Sequence, residues 1–226
     1  MEPFGKSHLG GNVVLRVRPK CAQLFFVFAG AQGQPGMPSM IFLHKSGLAK
    51  RNLVLLRDPY TANFARGVGG ELRDIWSLMA WQRKLLERLA HVEEVFCVGN
   101  SMGAYAACLF GHLLGVREVF AFGLEIARAA DPNGIERLAE MLESYPTDTR
   151  HHLYYVSHND SDRANALALR RGSGVELHPI HAREGQDEDD SPLQERSHMV
   201  MNYLARENEL REVFPPFRPA AAQAAH

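Results

Sequence analysis

Apolar positions along this chain fall into short unbroken runs, separated by longer stretches in which they recur at helical spacing. Runs of Val, Phe and Leu at 23–28, 52–56 and 118–122 carry a polar residue only at their first position. They read as strands buried on both faces. Asn12 to Val17, ending before Pro19, reads as an edge strand. Val95–Val98, His152–Val156 and Val175–His178 complete the set of strands. Between Leu72 and Leu89, the residues Leu72, Ile75, Trp76, Met79, Leu85, Leu86 and Leu89 follow a helical period. Further helices are expected from Ala104 to Phe110, from Asp131-Pro132 to about Glu143, from Asp162 to Arg170 and from Ser197 to Leu210. Pro132 suits a first helical turn and Ser197 an N-cap. Strands alternating with helices predict an α/β fold with a mostly parallel central sheet covered on both faces.

No repeat or linker divides this pattern, so residues 1–214 are expected to form one domain, followed by a disordered Pro- and Ala-rich tail at 215–226. The loop at 30–50 holds Gly33, Pro35, Gly36, Pro38 and Gly47 with exposed-looking Met37 and Met40, and reads either as framing one side of a cleft or as an irregular connection that covers the sheet edge. The 226 residues, 46% hydrophobic, suffice for a substantial core. A net charge of −1 supplies no basic field for nucleic acid or an anionic membrane. No apolar run reaches transmembrane length, and the polar start Met1-Glu2-Pro3-Phe4-Gly5-Lys6 lacks the apolar centre of a signal peptide, so a cytoplasmic protein is expected.

Cys21, Cys97 and Cys108 are odd in number and lack metal-ligand spacing. Two of them lie in apolar segments and read as reduced, buried residues. His151, His152, His158 and Asp160 cluster in sequence, but a strand sends His151 and His152 to opposite faces. No metal and no cofactor is expected. The acidic run from Glu184 to Asp190 reads as a solvated loop or, because it precedes His198, as a flap that disfavours anionic substrates.

The chemistry-bearing segment is Gly99-Asn100-Ser101-Met102-Gly103. An apolar strand precedes it and a helix follows, which is the context of a nucleophile elbow. The turn strains the serine backbone, while the flanking glycines let helix and strand approach closely. A phosphate-binding loop would also use a helix N-terminus. This segment matches neither G-x-G-x-x-G nor the Walker pattern, and several strands precede it. A serine needs a base, and the base an orienting carboxylate. In an open α/β sheet such groups gather beyond the carboxyl ends of the strands. Asp160 lies just past the strand ending at Val156, and His198 beyond the last strand. His178 and His181 compete with His198, and Asp162 and Glu125 with Asp160.

The order Ser101, Asp160, His198 is that of the α/β-hydrolase superfamily, which the chain resembles over most of residues 12–213. The resemblance rests on the pentapeptide, on Asp160 after a late strand, and on Ser197-His198-Met199-Val200 opening the last helix. It implies an α/β-hydrolase fold with Ser101 as nucleophile, His198 as general base and Asp160 as orienting acid. The oxyanion hole would use the backbone N–H of Met102 and, from the loop Gly30-Ala31-Gln32, that of Ala31. Only about one helix fits between Gly123 and Arg150, so the lid is minimal. The implied activity is hydrolysis of an ester or thioester on a small molecule or a carrier. An acyltransferase using the same triad, or a non-catalytic binding module, are the rival readings.

Overall fold

Among the described residues, eight strands form one sheet in the order β1-β2-β4-β3-β5-β6-β7-β8. The computed structural model describes residues 6–126, 131–181 and 200–221. The strands are β1 (Lys6–His8), β2 (Val13–Arg16), β3 (Gln23–Phe28), β4 (Asn52–Leu56), β5 (Glu94–Asn100), β6 (Glu118–Phe122), β7 (Arg150–Val156) and β8 (Val175–Ile180). From β4 to β8 every neighbouring pair is parallel, whereas β2 runs antiparallel to both β1 and β4. The predicted edge strand is therefore one place in from the edge, which β1 occupies.

The apolar runs are buried on both faces, as their patterning predicts. Leu24, Phe26 and Phe28 enter one core, while Phe25 and Val27 enter the other. On the first face lie α2 (Ile75–Arg88), α3 (Met102–Leu114), α4 (Gly134–Ser144) and α5 (Asp160–Leu169). The second face is covered by α1 (Ser39–Lys45), α6 (Val200–Arg206), α7 (Leu210–Val213) and Phe214. Helix α2 starts at a capping box, in which the Ser77 N–H donates to Asp74 Oδ1 at 2.7 Å and the Asp74 N–H to Ser77 Oγ at 3.1 Å. Cys97 and Cys108 are buried free thiols of the first core, and burial pushes the Cys108 thiol up to about 12. No helix among the described residues is long and apolar enough to cross a membrane.

Further expectations are corrected. The loop at 30–50 carries α1, whose Phe42 and Leu43 are buried, and Met37 is buried with them while Met40 is exposed. Asp131 and Pro132 form a turn ahead of α4, which begins at Gly134. The closing helix is interrupted after Arg206, where Asn208 takes a left-handed φ of 60° between α6 and α7.

The last of these corrections concerns residues 215–221 of the tail, since 222–226 lie outside the described residues. The Arg218 guanidinium bridges Glu93 at 2.8 Å and Glu94 at 2.9 Å. The Arg51 side chain donates to the Pro215 and Pro216 carbonyls, and Ala22 N–H to Arg218 O. Residues 215–221 thus strap the amino-terminal ends of β3 and β5, because the tail supplies partners that buried Arg51 and Glu94 require.

Candidate active site

At the carboxyl end of β5 the chain reverses into α3 through Ser101, whose φ of 55° and ψ of −124° lie outside the regions open to most L-residues. Such a backbone costs on the order of 1–3 kcal/mol and persists only where its surroundings impose it. The imposition comes from two glycines. A Cβ on Gly99 would lie 1.9 Å from the Gly103 carbonyl oxygen, and one on Gly103 would lie 2.1 Å from Phe28 O. Strand, turn and helix are therefore in backbone contact, and only glycine fits at either position. Ser101 N–H is held by Phe122 O at 2.9 Å, which ties the elbow to β6.

The first N–H groups of α3, Met102 among them, have no acceptor within the helix and gather positive potential at its end. The loop after β3 approaches the same place. Gly30 and Gly36 sit against Asn100, whose Oδ1 is buried without a hydrogen-bond partner among the described residues. Ala31 is exposed in the turn closed by Gly33 N–H to Gly30 O at 2.9 Å. Asn100 thus packs the loop expected to carry the second oxyanion donor against the strand that leads to Ser101. That role was not visible in the sequence, because the middle residue of G-x-S carries no pattern of its own. Asp58 was missed likewise: it is buried after β4 and accepts the backbone N–H groups of Tyr60, Ala62 and Phe64, fixing another loop at this end of the sheet.

The carboxylates separate sharply. Ser101 Oγ donates to Glu125 Oε2 at 2.9 Å, so Glu125, just past β6, touches the elbow serine directly. Asp160, the expected orienting acid, faces solvent with its side chain 91% exposed and pairs with Arg163 at 2.9 Å. Asp162 is 2% exposed in the first turn of α5, and its Oδ2 has no hydrogen-bond partner among the described residues. Burial, with the Glu125 charge adding to it, pushes the Asp162 carboxyl up to about 7. Asn159 caps this helix by accepting the Asp162 N–H at 2.9 Å, and α5 is tied to the turn after β6 by Asn165 Nδ2 donating to Leu124 O at 2.9 Å. His198 lies outside the described residues, as do Ser197 and the acidic run. His181 follows β8 and its Nδ1 meets Ser157 Oγ at 3.0 Å, away from Ser101 in the hydrogen-bond network.

Beside Glu125 opens a cleft of about 770 Å³, lined by Ile126, Ile135, Glu136, Ser161 and Asn165 among others. It lies between α4 and α5, and α4 is the one helix among the described residues of the interval 123–150.

The comparisons with known proteins agree with this topology. A scan against protein-family models found no match, and a search of the curated proteins found none. Among solved structures the chain is similar to Est1E from Butyrivibrio proteoclasticus, at 10% identity over 92% of this chain and 95% of that one, with a TM-score of 0.56. It is also similar to an alpha-beta serine hydrolase homologue from Coxiella burnetii, at 13% identity over 90% and 92% of the two chains, with a TM-score of 0.54. The chain has the α/β-hydrolase fold. A third neighbour comes from the work on LipS and LipT, two metagenome-derived lipolytic enzymes, at 14% identity over 89% and 100% of the chains and a TM-score of 0.51. Within the α/β-hydrolase fold, the turn from β5 into α3 is where Ser101 sits.

Proposed function

We propose that the protein is a serine hydrolase that cleaves a carboxylic ester or thioester through an acyl-enzyme on Ser101. The observation that carries this reading is the strained Ser101 backbone, imposed by Gly99 and Gly103, at the N-terminus of α3. Strain of this kind is maintained at functional turns and has no role in packing the sheet. His198 serves as base, two residues before α6, whose Val200 and Met201 are buried against the sheet. Asp162 takes the orienting role in preference to Asp160. A buried carboxylate oxygen without a partner costs stability, and an imidazole N–H from His198 would satisfy it and draw its raised pKa down.

In the first step Ser101 Oγ attacks the acyl carbon as its proton passes to His198. The carbonyl oxygen gains the negative charge, which the Met102 and Ala31 N–H groups stabilise. The alcohol or thiol then leaves with the proton from His198. Water repeats the sequence on the acyl-enzyme and frees the acid. The substrate is an acyl compound small enough for the cleft, or one presented by a bulky carrier to a site with a minimal lid. Glu125 and Glu136 line that cleft and disfavour an anionic acyl group.

A fluorophosphonate probe tests the reading. Labelling of the wild type, absent in Ser101→Ala and strongly reduced in His198→Ala, is the expected result. Folded wild-type protein that neither labels nor turns over short p-nitrophenyl esters would instead favour a binding module. Product analysis with an alcohol acceptor present separates a hydrolase from an acyltransferase.

The Ser101–Glu125 hydrogen bond favours a second reading, in which Glu125 supplies the acid from the end of β6. Glu125→Gln would then abolish turnover, whereas the Asp162 reading expects a loss of about tenfold, the size of one perturbed hydrogen bond.

A further inference from the structure

On the sheet face away from α3, the edge strand β8 lies beside β7 with His152 opposite Glu176 and Tyr154 opposite His178. Side chains at His152, Glu176 and His178 therefore stand on one face, at adjacent positions of two paired strands. Their donor atoms converge. His152 Nδ1 lies 3.2 Å from His178 Nε2 and 3.2 Å from Glu176 Oε2, and His178 Nε2 lies 3.9 Å from that same oxygen.

We propose that His152, Glu176 and His178 form a binding site for a divalent transition metal of the zinc class. Metal–nitrogen and metal–oxygen bonds of about 2.0–2.1 Å at tetrahedral angles separate neighbouring donors by about 3.3 Å, which the three measured separations bracket. Two imidazoles and one carboxylate on an otherwise open site are a donor set suited to zinc, nickel, copper or iron rather than to calcium or magnesium. The rings are held in place before any ion arrives. Phe120 stacks on His152 at 5.2 Å and 13°, and Tyr154 on His178 at 4.5 Å and 13°. Behind His152, its Nε2 faces Glu118 Oε2 at 3.8 Å, the side on which a carboxylate commonly supports a metal-bound imidazole. Glu176 and His178 are accessible, with side chains 53% and 34% exposed, so an ion can enter and leave a coordination position to water.

This site stands apart from the elbow and uses none of its residues. Its effect is to fasten β8, which among the described residues has a neighbour on one side only, to β7. An imidazole-to-imidazole hydrogen bond between His152 and His178 is the competing account of the same geometry.

The two accounts differ in what zinc does to chelator-treated protein. Isothermal titration with zinc is expected to show one tight equivalent and to raise the melting temperature by linkage. His178→Gln and Glu176→Gln are each expected to weaken that equivalent by more than the roughly 10–100-fold that loss of an outer-shell partner costs, and to remove the thermal shift. Glu176 is exposed, so its variant carries the test should His178→Gln fold poorly by circular dichroism. Absence of zinc binding to the wild type overturns the site. Binding of undiminished affinity in folded Glu176→Gln overturns it too, since the ion would then sit on others of the 11 histidines.

Discussion

The turn after β5 and the turn after β7 each deliver a polar side chain beyond the carboxyl ends of parallel strands, and they do so by opposite means. At the elbow the position of Ser101 is set by backbone against backbone, with Gly99, Gly103 and the Phe28 carbonyl in mutual contact. At the start of α5 nothing in the backbone singles out one carboxylate. Asp160 and Asp162 are both in the first turn, and burial alone distinguishes them. The position of Ser101 is thus specified by steric exclusion, and the choice between the two carboxylates by which face of a helix meets the core. The first kind of specification cannot be altered without losing the fold, whereas the second can be altered while the fold survives.

Gly99→Ala is the most drastic way to probe the elbow. The new Cβ would lie 1.9 Å from a carbonyl oxygen that α3 cannot withdraw. A cost of roughly 5 kcal/mol or more is expected, beyond the ordinary range of single substitutions and close to the whole stability of a domain. Denaturant unfolding, or failure to recover folded protein, reads it. A variant of near wild-type stability would show that the elbow relaxes and that the two turns differ less than their backbone contacts imply.

Asp162→Asn tests the other turn. An amide fits the carboxylate's volume, so the protein should fold, while kcat falls by about 10³–10⁴-fold as the base loses its orienting charge. Steady-state kinetics on a short ester gives the value. Activity within tenfold of wild type would transfer the acid to Glu125.

These two turns also explain what was legible in the sequence. The elbow could be read because its requirements are residue types: two glycines, a serine, an apolar strand before and a helix after. The strand bounds at β3, β4 and β6 agree with the apolar runs for the same reason, since burial on both faces leaves little freedom of register. The start of α5 was misread by two residues. With the helix expected to open at Asp162, Asp160 fell in a loop over the sheet. The helix opens at Asp160 instead, capped by Asn159. At about 100° per residue, the two carboxylates are turned roughly 200° apart, one outward and one inward. Residues 215–221 of the tail were misread from composition, because Pro and Ala suggest disorder while Arg218 finds Glu93 and Glu94 through tertiary contact. The pairing of His152 with Glu176 and His178 depends on the register of β7 against β8, which no local pattern encodes.

Burial of Asp162 predicts a pH dependence whose sign follows from the direction of its shift. Its carboxyl is raised from 3.8 to about 7 by burial, with Glu125 adding to the effect. Between about pH 4 and pH 7 the folded protein holds a proton that the unfolded chain has released. Stability therefore falls as pH rises through that window and levels off above it. A shift of this size corresponds to at most about 4 kcal/mol. His198 bears on the same oxygen in the proposed triad, so the full slope is expected in His198→Ala and a shallower one in the wild type. Adding Asp162→Asn to His198→Ala should flatten the profile and stabilise the protein at pH 8 by about 2–4 kcal/mol. Parallel profiles for wild type and His198→Ala would show that the two residues do not meet.

Asp160→Asn is the control with the smallest expected effect and the one that bears most directly on the contrast. Its carboxylate is 91% exposed and its partner Arg163 is itself half exposed, so the pair is screened by solvent and contributes little. The helix keeps its Asn159 cap and keeps Asp162 in its first turn. Activity should stay within about threefold of wild type, and the melting temperature should scarcely move. A loss approaching that of Asp162→Asn would require the first turn of α5 to rotate when substrate binds, bringing Asp160 inward. In that case the face of the helix that meets the core would not be fixed by the resting structure, and the acid would be chosen by a conformational change rather than by burial.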